Sequence, residues 1–228
     1  MSDAVKVGVI LGGCGRLDGS EIHEATCTLL AIDQQGGSYQ CYAPDKPVAR
    51  VVNHLTGEEA AGEGRNMMIE AARIARGDIK DLGSAKASDC DAWVMPGGDG
   101  IAHNLCTFGR EGAECSVDGD VHRVILEARD AGLPLGFVCI APAIGARVLG
   151  ERDHPKLTIG HNAQVNEVLG QTGAAMTPAS ALEIVVDEPA RVVSTPAYME
   201  AKGPAEVYTG VSKLVEKVLE LARQPAHA

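Results

Sequence analysis

The chain of 228 residues has few aromatic side chains and no long apolar run. Only 3% of its residues are Phe, Trp or Tyr, too few for the stacking platforms that bind single-stranded nucleic acids. Because no apolar run reaches about 18 residues, no membrane-spanning helix is expected. Basic residues are outnumbered, since 20 Lys and Arg face 31 Asp and Glu, for a formal net charge of −11. Nucleic acids and anionic membranes are therefore not expected as partners, which leaves a small molecule or another protein.

Paired cysteine motifs are also missing. The seven cysteines include no CxxC pair, which argues against a zinc knuckle or a thioredoxin-type redox site. His103 and Cys106 have a spacing that suits a metal, but no third ligand accompanies them, so no metal site is expected. The N-terminal apolar run has an acidic flank and one Lys, unlike a secretory signal peptide. These features predict a cytoplasmic protein whose thiols are reduced.

Strand-like and helix-like segments alternate along the chain. This alternation predicts an α/β fold, one domain over residues 1–228, with a mostly parallel sheet and helices on both faces. Near the C-terminal end, residues 183–187 and 191–195 predict a hairpin around Glu188 and Pro189. Strands are predicted at 5–11, 39–43, 91–98 and 135–138, and helices at 22–35, 65–77, 121–132, 141–149 and 205–222.

Three loops are expected at the carboxyl ends of the predicted strands. They are residues 12–20, 96–104 and 139–142. Open α/β sheets bind their ligands at this edge. A functional site is therefore predicted where the three loops meet.

The first loop, GGCGRLDG, resembles part of a dinucleotide-binding fingerprint. Asp18 stands where the third glycine belongs and would place a carboxylate against the pyrophosphate, so nucleotide binding is disfavoured. The sequence instead favours Asp18 as the N-cap of the first helix, with Glu21 completing a capping box.

Glu24 follows in the first turn of the same helix. The helical spacing predicts a buried stripe that Glu24 does not share, made of Ile22, Ala25, Thr26 and Leu29. Spacing alone thus favours a solvated carboxylate that interacts with the helix dipole. The alternative is an acid or base that leans into the cleft.

The segment LGFVCIAPA, residues 135–143, places Cys139 between a strand and a helix with Pro142 near its start. This order resembles the nucleophile elbow of hydrolases, although GxSxG does not match. The helix N-terminus would lower the pKa of the thiol, and the Ile140 N–H would face a developing oxyanion. A buried core cysteine is an equally good interpretation, because Cys is among the most buried residue types. The turn at Gly97 and Gly98 is either a tight turn alone or a second oxyanion donor.

Segments along nearly the whole chain together resemble one known family. It is the ElbB family of isoprenoid-biosynthesis-associated, amidotransferase-like proteins, within the PfpI and Parkinsonism-protein superfamily. The resemblance rests on GVILGGCGRLDGSEIHEA, YAPDK, VNHLTGE, RNMMIEAARIARG, MPGGDGIAHNL, GFVCIAPA, LTIG and TPAYM.

The resemblance implies a flavodoxin-like three-layer sandwich, a class I glutamine amidotransferase-like (PfpI-type) domain that usually forms a homodimer. Cys139 matches the elbow nucleophile and Glu24 the first-helix glutamate. Gly98 and Ile140 match the oxyanion-hole donors, and Gly97 lies in the same substrate-binding turn. The implied activity is that of a glyoxalase III-type lyase, converting glyoxal to glycolate without glutathione, metal or other cofactor.

Two departures from the superfamily pattern bear on this activity. Ile140 stands where many members carry a histidine, and no HxE signature occurs near the C-terminus, so hydrolysis of glutamine is not expected. His161 lies one position from a site histidine of some relatives, but a lone loop histidine is more often a surface residue. Two alternatives stay open: a protein deglycase, as argued for related members, and a non-enzymatic protein in which Cys139 senses oxidants or electrophiles.

Overall fold

The computed structural model describes residues 4–225, and its strands form one large sheet and one small sheet. The strands are β1 Lys6–Ile10, β2 Ser38–Ala43, β3 Ile79–Asp81, β4 Ala92–Met95, β5 Leu135–Val138, β6 Lys156–Leu157, β7 Ala175–Met176, β8 Val185–Asp187 and β9 Val192–Thr195. The large sheet has the order β3-β2-β1-β4-β5-β9-β8. Its strands are parallel except β8, which pairs antiparallel with β9 and confirms the predicted hairpin. β6 and β7 form a separate parallel pair.

Helices cover both faces of the large sheet. They are α1 Ile22–Gln34, α2 Met67–Ile74, α3 Ile101–Asn104, α4 Phe108–Glu111, α5 Gly119–Asp130, α6 Pro142–Asp153, α7 Ala163–Gly170 and α8 Pro204–Arg223. α1, α2 and α8 contribute to the apolar cluster on one face, and α5, α6 and α7 to the cluster on the other. The predicted flavodoxin-like sandwich with a mostly parallel sheet is thereby confirmed.

The central strands separate the two clusters by their period of two. In β4, Ala92 and Val94 pack with α1 and α8, whereas Trp93 and Met95 pack with α5 and α6. Each of these residues is at most 2% exposed. A strand buried on both faces reads as a continuous apolar run, which is why β4 and β5 could be located from sequence.

α8 carries the predicted apolar stripe. Its buried face includes all six residues expected there, Val207, Val211, Leu214, Val215, Val218 and Leu221. Full burial of one such side chain contributes about 1.5–3 kcal/mol, so this stripe is a major source of the packing between α8 and the sheet.

The predicted cap of α1 is wrong. Glu21 is the N-cap, and its side chain accepts a hydrogen bond from the Glu24 N–H at 2.8 Å. Asp18 is buried and accepts instead from the Val52 N–H at 2.9 Å. α1 begins at Ile22 as predicted, but Asp18 lies too far before it to be the cap, because Ser20 still pairs with Cys14 in an isolated β-bridge and the backbone stays extended up to Glu21.

Within residues 4–225, no helix is both long and apolar enough to cross a membrane. The assignment of residues 1–228 to one domain stays a prediction.

Candidate functional site

The three loops predicted to converge lie side by side, because β1, β4 and β5 are neighbours in the sheet. The Glu21 N–H donates to the Gly97 carbonyl at 2.8 Å, and the Gly100 N–H donates to the Arg16 carbonyl at 3.0 Å. These bonds attach the first loop to the turn that follows β4. Cys139 completes the cluster at the end of β5.

Cys139 sits on a strained turn between β5 and α6. Its φ is +61°, a left-handed conformation that costs a non-glycine residue on the order of 1–3 kcal/mol. The Cys139 N–H donates to the Thr195 carbonyl at 2.9 Å, and the Ala141 N–H donates to the Val138 carbonyl at 3.0 Å. The side chain is 6% exposed, so only a small part of the thiol reaches the surface. The backbone thus has the form of a nucleophile elbow.

Glu24 lies inside the protein, with no exposed surface. Two backbone N–H groups hold its carboxyl group: that of Gly97 donates to Oε2 at 2.9 Å, and that of Tyr198 donates to Oε1 at 3.2 Å. The Cys139 thiol lies next to this carboxyl group and lowers its pKa. The prediction of a solvated carboxylate is therefore wrong, and the Glu24 carboxyl group points into the site.

The buried stripe predicted for α1 is also wrong in part. Glu24, Thr28, Ala31 and Ile32 share the inner face at helical spacing, together with Ala25, whereas Ile22 is 45% exposed. Apolar residues on both sides of a short helix leave its rotation ambiguous. That rotation is fixed by hydrogen bonds from distant segments, which helical spacing does not reveal.

Burial controls the protonation of Glu24 and Cys139. It raises the pKa of Glu24 to about 8, although hydrogen bonds from Cys139, Tyr198 and Gly97 oppose the rise. Burial, and next the neighbouring Glu24, also raise the pKa of the Cys139 thiol, against hydrogen bonds from the N–H groups of Gly98 and Ile140. The expected lowering of the thiol pKa is therefore wrong for this geometry. Near neutral pH the pair holds both protons, and Glu24 is available to donate one.

The turn after β4 requires glycine at two positions. A Cβ on Gly97 would stand 2.4 Å from the Cys139 Cβ and 2.7 Å from Glu24 Oε2. Gly98 has φ +116°, and a Cβ there would meet the Glu21 nitrogen at 2.6 Å. The close approach of Gly97 brings the acid and the thiol together, and the conformation of Gly98 turns its N–H toward the sulfur.

Tyr198 is a site residue that the sequence did not single out. Its N–H holds Glu24, and its hydroxyl group lies 2.6 Å from His23 Nδ1. Ala197, just before it, is fully buried with φ +43°, which bends the chain after β9 toward α1. The segment TPAYM contributed to the family resemblance, but no spacing in it indicated a contact with Glu24.

His161 lies in an exposed loop. Its side chain is 59% exposed, and its Nδ1 lies 3.3 Å from Glu200 Oε2. Its backbone N–H donates to Glu200 Oε1 at 2.6 Å. A solvent-exposed contact of this kind contributes little to stability and does not direct the ring toward Cys139 or Glu24.

Replacing His161 with Ala is therefore expected to leave the conversion of glyoxal to glycolate, the activity expected from the sequence, within about twofold of the wild type, as for a surface substitution. Steady-state kinetics of the purified variant measure this. A loss of an order of magnitude or more would instead give this histidine a part in the reaction.

Within the described residues, no three His, Cys, Asp or Glu side chains are grouped so that they could hold a metal ion. The expectation of a metal-free site stays a prediction.

The mostly parallel α/β sandwich matches the fold of DJ-1/ThiJ/PfpI proteins. The crystal structure of Drosophila melanogaster DJ-1beta superposes on 96% of this chain and 96% of its own, with a TM-score of 0.54 and 17% identity. This likeness shows the fold alone.

A closer likeness is found with an isoprenoid biosynthesis protein with an amidotransferase-like domain from Ehrlichia chaffeensis. Its crystal structure has a TM-score of 0.89 and 32% identity, and the match covers 96% of this chain and 99% of the other. No family model matches the sequence.

Curated relatives define the family. A human protein, glutamine amidotransferase-like class 1 domain-containing protein 3, is 40% identical over 227 residues, covering 96% of this chain and 84% of its own. The ES1 protein homolog of Rattus norvegicus is 38% identical over 225 residues, covering 95% and 84%. The chain belongs to this family of ES1, glutamine amidotransferase-like class 1 domain proteins.

The expectation of a cytoplasmic protein is wrong. The human and rat relatives are both named as mitochondrial proteins. Composition and reduced cysteines describe a folded domain in a reducing environment, and neither property distinguishes one such compartment from another.

Proposed function

We propose that the protein is a glyoxalase of the ElbB type, which converts glyoxal or a related 2-oxoaldehyde to the 2-hydroxy acid. The observation that carries the proposal is the buried pair of Cys139 and Glu24, which lie on either side of Gly97: a Cβ there would stand 2.4 Å from the Cys139 Cβ and 2.7 Å from Glu24 Oε2. A nucleophile and a proton carrier are what this rearrangement needs. Membership of a superfamily that includes enzymes supports a cysteine-based activity.

The first step is addition of the Cys139 sulfur to one carbonyl carbon. A C–S bond forms, and the carbonyl π electrons move to oxygen. We assign the stabilisation of the resulting oxyanion to the N–H groups of Gly98 and Ile140, which also lower the pKa of the Cys139 thiol. The pair releases one thiol proton to the oxyanion, which gives a neutral hemithioacetal.

The second step moves a proton between the two carbons. In its ionised form, Glu24 takes the proton from the hemithioacetal carbon. The electrons of that C–H bond form a C=C bond with the neighbouring carbon, and the π electrons of the neighbour's carbonyl group move to its oxygen, which gives an enediolate. Returning the proton to that neighbour gives a thioester of the 2-hydroxy acid. Water then cleaves the C–S bond and regenerates the thiol. One carbon is oxidised as its neighbour is reduced, so no external electron acceptor is consumed.

Burial of Glu24 suits this role. A carboxyl group with an ordinary pKa would be ionised near pH 7 and could only accept a proton, whereas one with a pKa of about 8 exchanges protons in both directions. Turnover is therefore expected to depend on a group with an apparent pKa near 8 that belongs to the pair.

The exposure of the thiol favours a small substrate. Cys139 is 6% exposed, and a deglycase must bring a modified side chain of another protein to its sulfur. Glyoxal presents two adjacent carbonyl groups and little else, so it needs far less room. A sensor is favoured less, because an oxidant-sensing thiol is typically a low-pKa thiolate, whereas the pKa of Cys139 is raised. The homodimer that the resemblance implies stays a prediction.

Replacing Cys139 with Ala is expected to reduce glycolate formation to the uncatalysed level, because no other group supplies the nucleophile. The experiment incubates purified protein with a panel of 2-oxoaldehydes and identifies the product by NMR. The Cys27→Ala variant is a matched control, since Cys27 is a half-buried cysteine on α1 outside the proposed mechanism.

Glycolate formation by the Cys139→Ala protein would refute the proposal. Release of the free amine from a glycated peptide, with no turnover of glyoxal, would favour the deglycase. Selective peroxide oxidation of Cys139, with no turnover of any dicarbonyl, would favour the sensor.

A further inference from the structure

Two further cysteines lie close together, outside the site of Cys139. Cys106 and Cys115 are 4% and 1% exposed, and both are free thiols. They flank a loop formed by α4 and the single 3₁₀ turn that follows it, Gly112–Glu114. The mechanism above uses neither thiol.

Backbone pairing closes this loop at its base. Cys106 forms an antiparallel β-bridge with Val117. The Thr107 N–H donates to the Ser116 carbonyl at 2.9 Å, and the Asp118 N–H donates to the Leu105 carbonyl at 2.8 Å. The loop ends are therefore fixed relative to each other in the folded protein.

The bridge places the two thiols on the same side. Cys115 lies two residues before Val117, which stands opposite Cys106, so Cys106 and Cys115 are diagonal neighbours in the antiparallel pair. Extended residues two apart point to the same face. Each thiol also shifts the pKa of the other through a direct side-chain interaction, which places the two sulfurs close together.

The surroundings make the two thiols unequal. The hydrogen bond from Cys106 lowers the pKa of Cys115, and the charge of Arg147 lowers it further. Arg147 is held beside it, since its Nε donates to the Cys115 carbonyl oxygen at 2.7 Å. The same pairing with Cys115, followed by burial, raises the pKa of Cys106, whose sulfur donates to the Ile101 carbonyl at 3.8 Å. Cys115 is thus the better nucleophile of the two.

A small cavity opens beside Cys115. Its volume is about 110 Å³, and it is lined by Cys115, Ser116, Val117, His122 and Arg147. A water molecule occupies about 30 Å³ in the liquid, so a hydroperoxide the size of hydrogen peroxide fits this space. An oxidant in the cavity lies against Cys115, and because Cys115 is only 1% exposed, contact with its sulfur requires a small local movement.

We propose that Cys106 and Cys115 form a redox-active pair, which a small hydroperoxide converts to an intramolecular disulfide. The Cys115 thiolate attacks the peroxide, so that an S–O bond forms, the O–O bond breaks, and hydroxide leaves with a proton as water. The Cys106 thiol then attacks the Cys115 sulfenic acid: an S–S bond forms, the S–O bond breaks, and a second water leaves. Two thiols lose two electrons, and the peroxide is reduced to two waters. The inference does not depend on the proposed glyoxalase.

The sequence offers a direct test, because Arg110 lies between the two cysteines. The full-length folded protein is treated with a few equivalents of hydrogen peroxide, blocked with N-ethylmaleimide and digested with trypsin without reductant. We expect peptides 87–110 and 111–123 joined, at their summed mass less two hydrogen atoms plus one maleimide adduct on Cys90, and separated again by dithiothreitol. Absence of the joined pair, with Cys106 and Cys115 both recovered as maleimide adducts, would overturn the proposal.

Cys90 provides the control, because it shares peptide 87–110 with Cys106. The joined pair is expected to persist in Cys90→Ser and to disappear in Cys106→Ser. Loss of the joined peptides in Cys90→Ser, with their persistence in Cys106→Ser, would assign the disulfide to Cys90 and refute the proposed Cys106–Cys115 disulfide.

The order of attack has a separate readout. In Cys106→Ser, the sulfenic acid on Cys115 cannot be resolved, so dimedone is expected to label Cys115 after peroxide treatment. In Cys115→Ser, Cys106 is expected to stay unlabelled. Labelling of Cys106 instead, in variants whose circular dichroism matches the wild type, would contradict the assigned roles.

Discussion

Replacing Glu24 with Gln is expected to flatten the pH dependence of folding stability and to remove glycolate formation. Glu24 is wholly buried, and its pKa in the folded protein is raised to about 8. An unfolded glutamate titrates at about 4.3. At a pH between these two pKa values, Glu24 is protonated in the folded protein and ionised in the unfolded chain.

The sign of the effect follows from this difference. A group whose pKa is raised by folding contributes stability that is fully present below its unfolded pKa and is lost as the pH rises through its folded pKa. The wild-type free energy of unfolding is therefore expected to fall between about pH 4.3 and pH 8, by roughly 1.4 kcal/mol per pH unit and about 5 kcal/mol in all. Gln carries no proton to lose, so this decline is expected to be absent in Glu24→Gln.

Urea denaturation at a series of pH values measures the decline. Glu167→Gln is a matched control, because Glu167 is an exposed helical glutamate and its replacement leaves the slope unchanged. Equal slopes for the wild type and Glu24→Gln would show that Glu24 titrates as an ordinary carboxyl group. One hydrogen bond is also lost, because Gln has a single oxygen acceptor and its NH₂ group cannot accept, so either the Gly97 N–H or the Tyr198 N–H loses its partner. Glu24→Gln is therefore expected to be slightly less stable near pH 5.

The activity of Glu24→Gln separates proton transfer from nucleophilic attack. Loss of the proton carrier is expected to lower turnover by on the order of 10²–10⁴-fold. Because Glu24 raises the pKa of the Cys139 thiol, its removal is expected to accelerate alkylation of Cys139 by iodoacetamide. A slower alkylation together with lost turnover would mean that Glu24 serves to activate the thiol rather than to move the substrate proton.

Gly97→Ala is expected to damage both the fold and the activity. The new methyl group would stand 2.4 Å from the Cys139 Cβ, so the turn after β4 must move away from the elbow. Overpacking of this kind costs typically about 1–3 kcal/mol. A displacement of about 1 Å at reacting groups can lower turnover by about 10²-fold.

Gly64→Ala is the matched control for this substitution, because nothing lies within 4 Å of a Cβ at that position. Urea denaturation and glycolate formation are measured for both variants. We expect Gly64→Ala to match the wild type in each. Full turnover in a stable Gly97→Ala protein would contradict the close approach of the turn to the thiol.

Much of the architecture could be predicted because its central elements carry strong local signals. β5 occupies residues 135–138 as predicted, since four consecutive apolar or small residues fit a strand that is buried on both sides. The hairpin of β8 and β9 and the stripe of α8 were also predicted from periodicity. Elements without a period were missed: β6 and β7 have two residues each, and α7 is only eight residues long.

The site could be predicted only in part. Cys139 and Gly97 fall at the ends of recognisable strands, so their convergence followed from the topology of a parallel sheet. The rotation of Glu24 and the contact with Tyr198 depend on hydrogen bonds between segments 174 residues apart, which leave no local pattern. The catalytic roles assigned to Cys139 and Glu24 stay predictions, as does the oxyanion hole.

One carboxyl group joins three distant parts of the chain, and this has a consequence for how the site opens. Glu24 accepts from the Gly97 amide after β4 and from the Tyr198 amide after β9. Neither amide can exchange its proton with solvent while Glu24 stays in place. Hydrogen exchange at Gly97 and Tyr198 should therefore proceed through one shared opening event, with similar protection factors. Both protection factors, which already correct for the ordinary rise of amide exchange with pH, should fall as Glu24 becomes charged. The exchange rates of these two amides would then measure the opening of the site in solution without any substrate.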